Sequence, residues 1–276
     1  DGIRDYKVTG VQTCALPIYA VSMSWSINSI SHNQIHNAYF TPAWLNRGFD
    51  LLLSLTIGFS QTLYRDIHNR HHRGNSDLPG PDGQTIDPLS IYLRGKDGQP
   101  ENPWAYTFLS FFRDDPKPFY EEMKRKRPAD ARWVKVEIYL TVAFYIALAF
   151  YNWQAVLWLL PFWYLGQCLS SLNGYYEHFG GNPDLPIAWG VSAYGRLYNA
   201  VWMNNGYHAE HHYRPKMHWT KARAFHRAIA QQQREAGVKD IPVSHGLGFL
   251  VADRKSVGGG ARVAAVRQGC SLCVTQ

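Results

Sequence analysis

The sequence predicts an all-α protein, an integral membrane helical fold with a helical cap on its cytoplasmic side. Three observations carry this expectation. Apolar residues are concentrated in stretches almost free of charge, above all residues 136–151 and 154–172. Nine of the twelve histidines fall in four tight clusters with helical spacing. Lys and Arg are distributed asymmetrically about the apolar stretches. Mean hydropathy is slightly negative, which alone would suggest a soluble protein, but an average hides such concentration.

The two ends stand apart from the rest. Residues 8–18 resemble a common short-read sequencing adapter translated in frame, and residues 1–5 resemble the adjoining primer. Residues 253–257 resemble the opposite adapter, and the Gly/Val/Arg-rich remainder has no helical or strand period. We therefore expect residues 1–18 and 253–276 to be artefact, or at the C-terminus a disordered tail, and to lie outside fold reasoning. Residues 19–252 are then the natural domain, truncated at its front. Three of the four cysteines (Cys14, Cys270, Cys273) fall in the set-aside ends, so the terminal C-x-x-C is no zinc or redox motif. Only Cys168 remains, within an apolar run. Between residues 19 and 252 the formal charge drops from +7 to +4, since six of 28 basic and three of 21 acidic residues lie in the ends. A nucleic-acid partner loses its electrostatic support.

Along the domain, residues 20–30 look like the tail of a spanning helix that delivers His32 and His36 to its aqueous end. Residues 49–59 are apolar but short, which suits an interfacial or re-entrant segment. Residues 73–103, rich in Gly, Pro, Asp and Asn, predict a cytoplasmic loop. Residues 136–151 and 154–172 approach the ~20 residues of a membrane span once Trp133 and a snorkelling Lys135 are counted. With the uncharged turn Asn152-Trp153-Gln154 between them, they predict a transmembrane hairpin. Residues 185–203 are mildly amphipathic and suit the interface. Residues 220–236 predict a polar cytoplasmic helix ended by Gly237. A hairpin returns the chain to the side it left, so all histidine clusters can share one side. Lys117, Lys124, Arg125, Lys126, Arg127, Arg132 and Lys135 before the hairpin, and Arg214, Lys216, Lys221, Arg223 and Arg227 near the end, mark that side as cytoplasmic. The run 124–127 is either this topogenic signal or a docking surface for an acidic electron carrier.

The histidine clusters are His32-Asn33-Gln34-Ile35-His36, His68-Asn69-Arg70-His71-His72, the lone His178 after Tyr175-Tyr176-Glu177, and His208-Ala209-Glu210-His211-His212. Side chains three and four apart share a helix face, so each cluster can aim imidazoles at a common centre. Nine imidazoles exceed the four ligands of a structural zinc, and the count favours a di-metal site. Imidazole suits iron, copper, nickel and zinc alike, so ligand type does not name the metal. The zinc-protease pattern H-E-x-x-H is absent. A lone histidine after an apolar run, such as His178, is by itself more often a packed residue. His218, His226 and His245 lie outside the clusters and are expected to be ordinary surface residues.

The three boxes, in this order, resemble those of the integral-membrane fatty acid desaturase and hydroxylase superfamily. The resemblance covers residues 31–219, and its most specific part is Asn205-Gly206-Tyr207-His208-Ala209-Glu210-His211-His212 with Pro215 and Trp219. It implies a non-haem centre of two iron ions, with dioxygen as co-substrate. His32, His36, His68, His71, His72, His208, His211 and His212 would be ligands, and His178 would match a further family histidine. Tyr176-Glu177-His178-Phe179-Gly180 is also similar to a motif of membrane alkane hydroxylases. Some desaturases place an asparagine one helical turn before this histidine; here Gly174 stands there and Asn173 is one residue off. Asp66, Asn173, Glu177, Asn204, Asn205 and Glu210 are the nearby polar groups able to orient metal-bound imidazoles.

The resemblance implies an oxygen-dependent membrane oxidase acting on a lipid chain, first of all a fatty acyl desaturase. It also implies an external electron donor of ferredoxin, rubredoxin or cytochrome b5 type. Alkane or fatty acid hydroxylases and carotenoid ketolases or hydroxylases share the boxes, and spacing does not separate them. A non-catalytic membrane metal-binding protein is the alternative of another class. Nine ligands on one side make a closed site and speak against transport. No dinucleotide fingerprint, P-loop or haem-domain signature is present.

Overall fold

A computed structural model describes residues 10–252, and the expectations for residues 1–9 and 253–276 lie outside the described residues. Among the described residues there are helices and irregular segments but no strand, and extended pairing is limited to one bridge between Ser192 and Asp240. Helix α1 (Gly10–Trp25) runs into a π-helical turn at Ser26–Ser31 and then α2 (His32–His36). Helix α3 (Ala43–Ile57) follows, and its 15 residues span only ~22 Å at 1.5 Å per residue. That falls short of a ~30 Å hydrocarbon core, in line with the short segment expected there.

Helix α3 stops at Gly58, whose φ of +84° is open to glycine without a Cβ penalty. A side chain there would also strike the Trp163 ring, which lies 2.7 Å from the Cβ position. Helix α4 (Gln61–Gly74) starts at once, because Ser60 caps it by accepting the Leu63 N–H at 3.1 Å. Such a cap contributes about 1 kcal/mol. The buried Glu137 carboxylate reinforces the same turn by accepting the Ser60 hydroxyl, the Thr62 N–H (3.0 Å) and the Thr62 hydroxyl (2.8 Å). This contact fixes α4, which carries the second histidine box.

Residues 75–102 form the loop of bends and turns expected over residues 73–103. Helix α5 (Pro103–Arg113), capped by Asn102, occupies a stretch for which the sequence predicts no element, and α6 (Lys117–Lys126) follows. Helix α7 (Pro128–His178) is one hydrogen-bonded element only in a formal sense. Asn152 leaves the helical region (φ −155°, ψ 85°), and its side chain caps the second arm by accepting the Ala155 N–H at 3.0 Å. The arms double back on each other. Glu137 on the first arm bonds Thr62, and Gln167 on the second bonds the Ile57 carbonyl at 3.0 Å. In a straight helix those two residues would sit ~45 Å apart. The hairpin expected around Asn152 is therefore present.

Helix α1 lies against the second arm at Gly166. A Cβ there would stand 2.6 Å from Met23 Cβ and 2.9 Å from the Ala20 carbonyl, so a larger residue would force the two helices apart. Residues 185–203, expected as one amphipathic segment, are instead a 3-10 turn (Pro186–Ala188), a buried run through Val191, Ser192 and Ala193, and the short α8 (Arg196–Val201). The helix α9 (His208–Tyr213) follows, then α10 (Ala222–Glu235), close to the polar helix expected, with Gly237 at φ +68° just beyond it.

Candidate metal centre

The nine histidines converge as two groups. His32, His36, His68, His72 and His211 form one, and His71, His178, His208 and His212 the other; within each group the candidate ligand atoms lie within 4.8 Å of one another. The helix period explains the partition. In α4, His68 and His72 stand one turn apart and turn to the first group, while His71 turns to the second. In α9 the arrangement is reversed: His208 and His212 serve the second group and His211 the first. Neighbouring Nε2 atoms trace a chain through the first group, His32–His211 2.8 Å, His211–His72 3.0 Å, His72–His68 3.0 Å and His68–His36 2.9 Å. In the second, His178 Nε2 lies 3.0 Å from His71 Nε2 and 3.1 Å from His208 Nε2.

The other ring nitrogen shows what these contacts are. His178 Nδ1 faces the Trp189 carbonyl at 3.1 Å, and His71 Nδ1 faces the Asp87 carboxylate at 2.7 Å. Both partners can only accept, so each Nδ1 carries the proton and each Nε2 of a neutral ring presents a bare lone pair. Two lone pairs 3.0 Å apart repel unless a cation lies between them. One proton can serve one such pair. It cannot serve four convergent nitrogens, of which the buried His212 Nε2 has no hydrogen-bond partner at all. His212 Nδ1 meets Asn75 Oδ1 at 2.5 Å, which leaves its Nε2 for the centre.

In the first group, the π-helical turn sends the His32 backbone N–H to Ile27 O, five residues back, while the Asn28 carbonyl accepts His32 Nδ1 at 3.2 Å. Burial and mutual repulsion push most of the nine rings down: His32 to about 4, and His68, His72, His178, His208, His211 and His212 well below the ordinary range. His71 is the exception; burial lowers it, but the Asp87 charge and hydrogen bond override this and raise it. Neutral imidazole is the form that binds metals, so the donor set fits two metal ions.

Beside both groups lies a cavity of about 480 Å³. His32, His68, His71, His178 and His208 form one part of its wall, and Ile27, Phe59, Leu63, Ile67 and Phe111 are among the apolar residues forming the rest. Comparison with known families matches the fatty acid desaturase model over residues 11–244. The chain belongs to the fatty acid desaturase family. Members of this family are in general oxidoreductases of lipid metabolism. Comparisons with curated proteins and with solved structures found no match.

The groups that orient the imidazoles in this desaturase-family chain differ in part from those expected. Asp66 pairs with Arg70 and Arg127, not with a histidine. Asn204 donates to the Trp219 carbonyl. Glu210, fully buried, accepts from Ser192 (2.8 Å), Tyr194 (2.9 Å) and His226 (2.6 Å), and so anchors α9 rather than a ligand ring. Asn173 and Asn205 each donate to Glu177 Oε1 at 2.7 Å. Of the six, two approach a ligand ring: Asn205 hydrogen-bonds the His32 ring, and Glu177 lies 3.6 Å from His208 Nδ1, with burial raising its carboxyl to about 7.

The groups that do hold Nδ1 are Asp87, Asn75 and two backbone carbonyls, none of them singled out in the sequence. His226 and His245 are not ordinary surface residues either. His226 is half-buried against Glu210, and that hydrogen bond raises its pKa. His245 is fully buried between the Val191 carbonyl (2.9 Å) and the Tyr198 hydroxyl (3.1 Å). His218 is exposed, as expected.

Proposed function

We propose that this chain is an oxygen-dependent, di-iron membrane oxidase that introduces a double bond into a lipid acyl chain. The observation that carries the reading is the meeting of two convergent imidazole groups with one apolar cavity. The cavity volume falls in the range of small-molecule sites. Its aliphatic and aromatic walls would hold a hydrocarbon chain beside the ligand rings and keep water out. Iron bound by the nine histidines would supply the activation of dioxygen and the removal of hydrogen from an unactivated carbon. The protein's own part is to fix the rings through Asp87, Asn75 and the Asn28 and Trp189 carbonyls, and to hold the substrate in register.

The ligand count and the chemistry support iron over zinc: five imidazoles in one group exceed the four ligands of a structural zinc, and removing hydrogen from an unactivated carbon with dioxygen requires a redox metal, which zinc is not.

The same reading puts the α7 hairpin across the bilayer with the histidines on the cytoplasmic side. Phe150 and Tyr151 near the turn are 89% and 88% exposed, and only 17% of the most apolar window of α7 is buried within the protein. A soluble core helix would be mostly covered. Basic residues before the hairpin and after α9 support the orientation. A reporter inserted at Asn152 is expected outside the cytoplasm and one after Trp219 inside; finding both on one side would remove the hairpin crossing.

Hydroxylation is the second reading, favoured by the likeness of Tyr176-Glu177-His178-Phe179-Gly180 to the alkane-hydroxylase motif. Expression in a host fed defined acyl lipids, followed by mass spectrometry, separates the two. A product two hydrogens lighter is expected; a product one oxygen heavier would replace desaturation by hydroxylation, and no oxidised product in any lipid class would argue against both.

A further inference from the structure

Two basic surfaces lie on the histidine side of the molecule, and the structure treats them differently. On α6, Lys124 pairs with Glu121 and Lys126 with Glu122, while Arg127 just beyond it pairs with Asp66 and Asp130. This patch is largely neutralised by its own neighbours. The segment from Arg214 to Arg227 carries Arg214, Lys216, Lys221, Arg223 and Arg227 with no acidic residue between them. All five are exposed, and among the described residues none makes an ion pair.

Residues of the same segment that alternate with these charges turn inward. Pro215, Met217, Trp219 and Ala222 line a cleft whose other walls include His36 and His211. At about 20 Å³ it admits a water molecule or so, not a lipid chain. On the outer side, Tyr213, Pro215, Met217 and Phe225 form the apolar floor of an open depression of about 460 Å³, with Arg214 and Lys216 among its walls. The two histidine groups are correspondingly unequal: His36, His72 and His211 of the first are half-buried, whereas all four of the second are buried.

We infer that this face, residues 213–227, is the docking surface for a small acidic one-electron carrier protein, and that reducing equivalents enter through His36 and His211 of the first group. The inference rests on the oxidase reading above. An apolar centre with a charged rim is the anatomy of a transient protein interface, and complementary charge sets the rate and orientation of encounter. The location also separates the carrier from the substrate, because the larger cavity shares only His32 with the cleft and is walled elsewhere by residues such as Phe111, Phe119 and Ile138.

The test measures binding of an oxidised plant-type [2Fe–2S] ferredoxin to the full chain in detergent at low ionic strength. The triple variant Arg214→Glu, Lys216→Glu, Lys221→Glu is expected to weaken binding at least tenfold and to flatten its salt dependence. The variant Lys124→Glu, Arg125→Glu should stay within twofold of the parent. No binding by the parent, or a loss confined to the α6 variant, would overturn the inference. So would a triple variant that loses only its affinity for phosphatidylserine vesicles, since the face would then be a membrane contact. Turnover driven by dithionite should be equal in parent and triple variant. If the parent shows no turnover with any reductant while the binding pattern holds, the oxidase reading fails and the docking surface stands.

Discussion

His178→Ala is expected to remove one of the two bound metal ions and to abolish turnover, while membrane insertion is unchanged. His178 Nε2 lies about 3 Å from both His71 Nε2 and His208 Nε2, so its loss opens the middle of the second group. The first group of five keeps all its ligands. The midpoint of the metal-stripped protein should fall modestly, because the Trp189 carbonyl loses its buried donor while the repulsion between the facing lone pairs is relieved. The control is His218→Ala, which is exposed, hydrogen-bonds Thr220 and stacks beside Trp219, away from both imidazole groups. His226 is unsuitable as a control, since it holds Glu210. The measurements are iron per chain, product yield and the thermal midpoint of the stripped protein. Normal iron and activity in His178→Ala would reduce the site to the eight histidines of the three boxes.

Asp87→Ala is expected to act on the same metal ion by a different route. The Asp87 carboxylate accepts from His71 Nδ1 (2.7 Å), the Ser76 N–H (2.8 Å) and the Leu89 N–H (2.7 Å), and it is fully buried. Removing the acceptor behind a metal-bound imidazole weakens metal binding by roughly 10–100-fold. Each donor left dry costs a further ~1–3 kcal/mol of stability, so this variant should also lower the midpoint of the stripped protein. Asp87→Asn, which keeps an acceptor oxygen but loses the charge, should fall between Ala and the parent in both readouts. Unchanged iron affinity in Asp87→Ala would show that His71 is positioned by something else.

The contrast between these two residues also shows what was legible in the sequence. His178 was within reach because it follows an apolar run and sits in a motif with family likeness. The box histidines were legible for a local reason, the three- and four-residue spacing that survives in any helix. The hairpin was legible because an uncharged double run with one Asn at its centre leaves few alternatives, and Asn152 serves as both break and cap. Asp87 was not legible. It lies sixteen residues beyond His71 in an irregular loop, and only the fold of residues 75–91 turns its carboxylate back. The same holds for Asn75, whose left-handed conformation (φ 52°) ends α4 and aims its amide at His212.

Backbone acceptors such as the Trp189 carbonyl leave no mark on the sequence at all. The candidates chosen by proximity in sequence failed where a nearer charge claimed them, Arg70 and Arg127 for Asp66 and His226 for Glu210. His245 was misplaced because its burial depends on Val191 and Tyr198 closing over it, a contact some fifty residues distant. The split of α4 between the two groups needed the positions of α2 and α9, which no spacing rule supplies.

If the nine histidines hold two iron ions, metal analysis of the purified protein will show both. Protein expressed in iron-replete medium and purified in detergent should carry close to two irons per chain, one for each imidazole group. The metal should be lost by half in His178→Ala and retained in His218→Ala. Stoichiometric zinc with no iron, or a single ion that His178→Ala leaves in place, would contradict a two-iron centre.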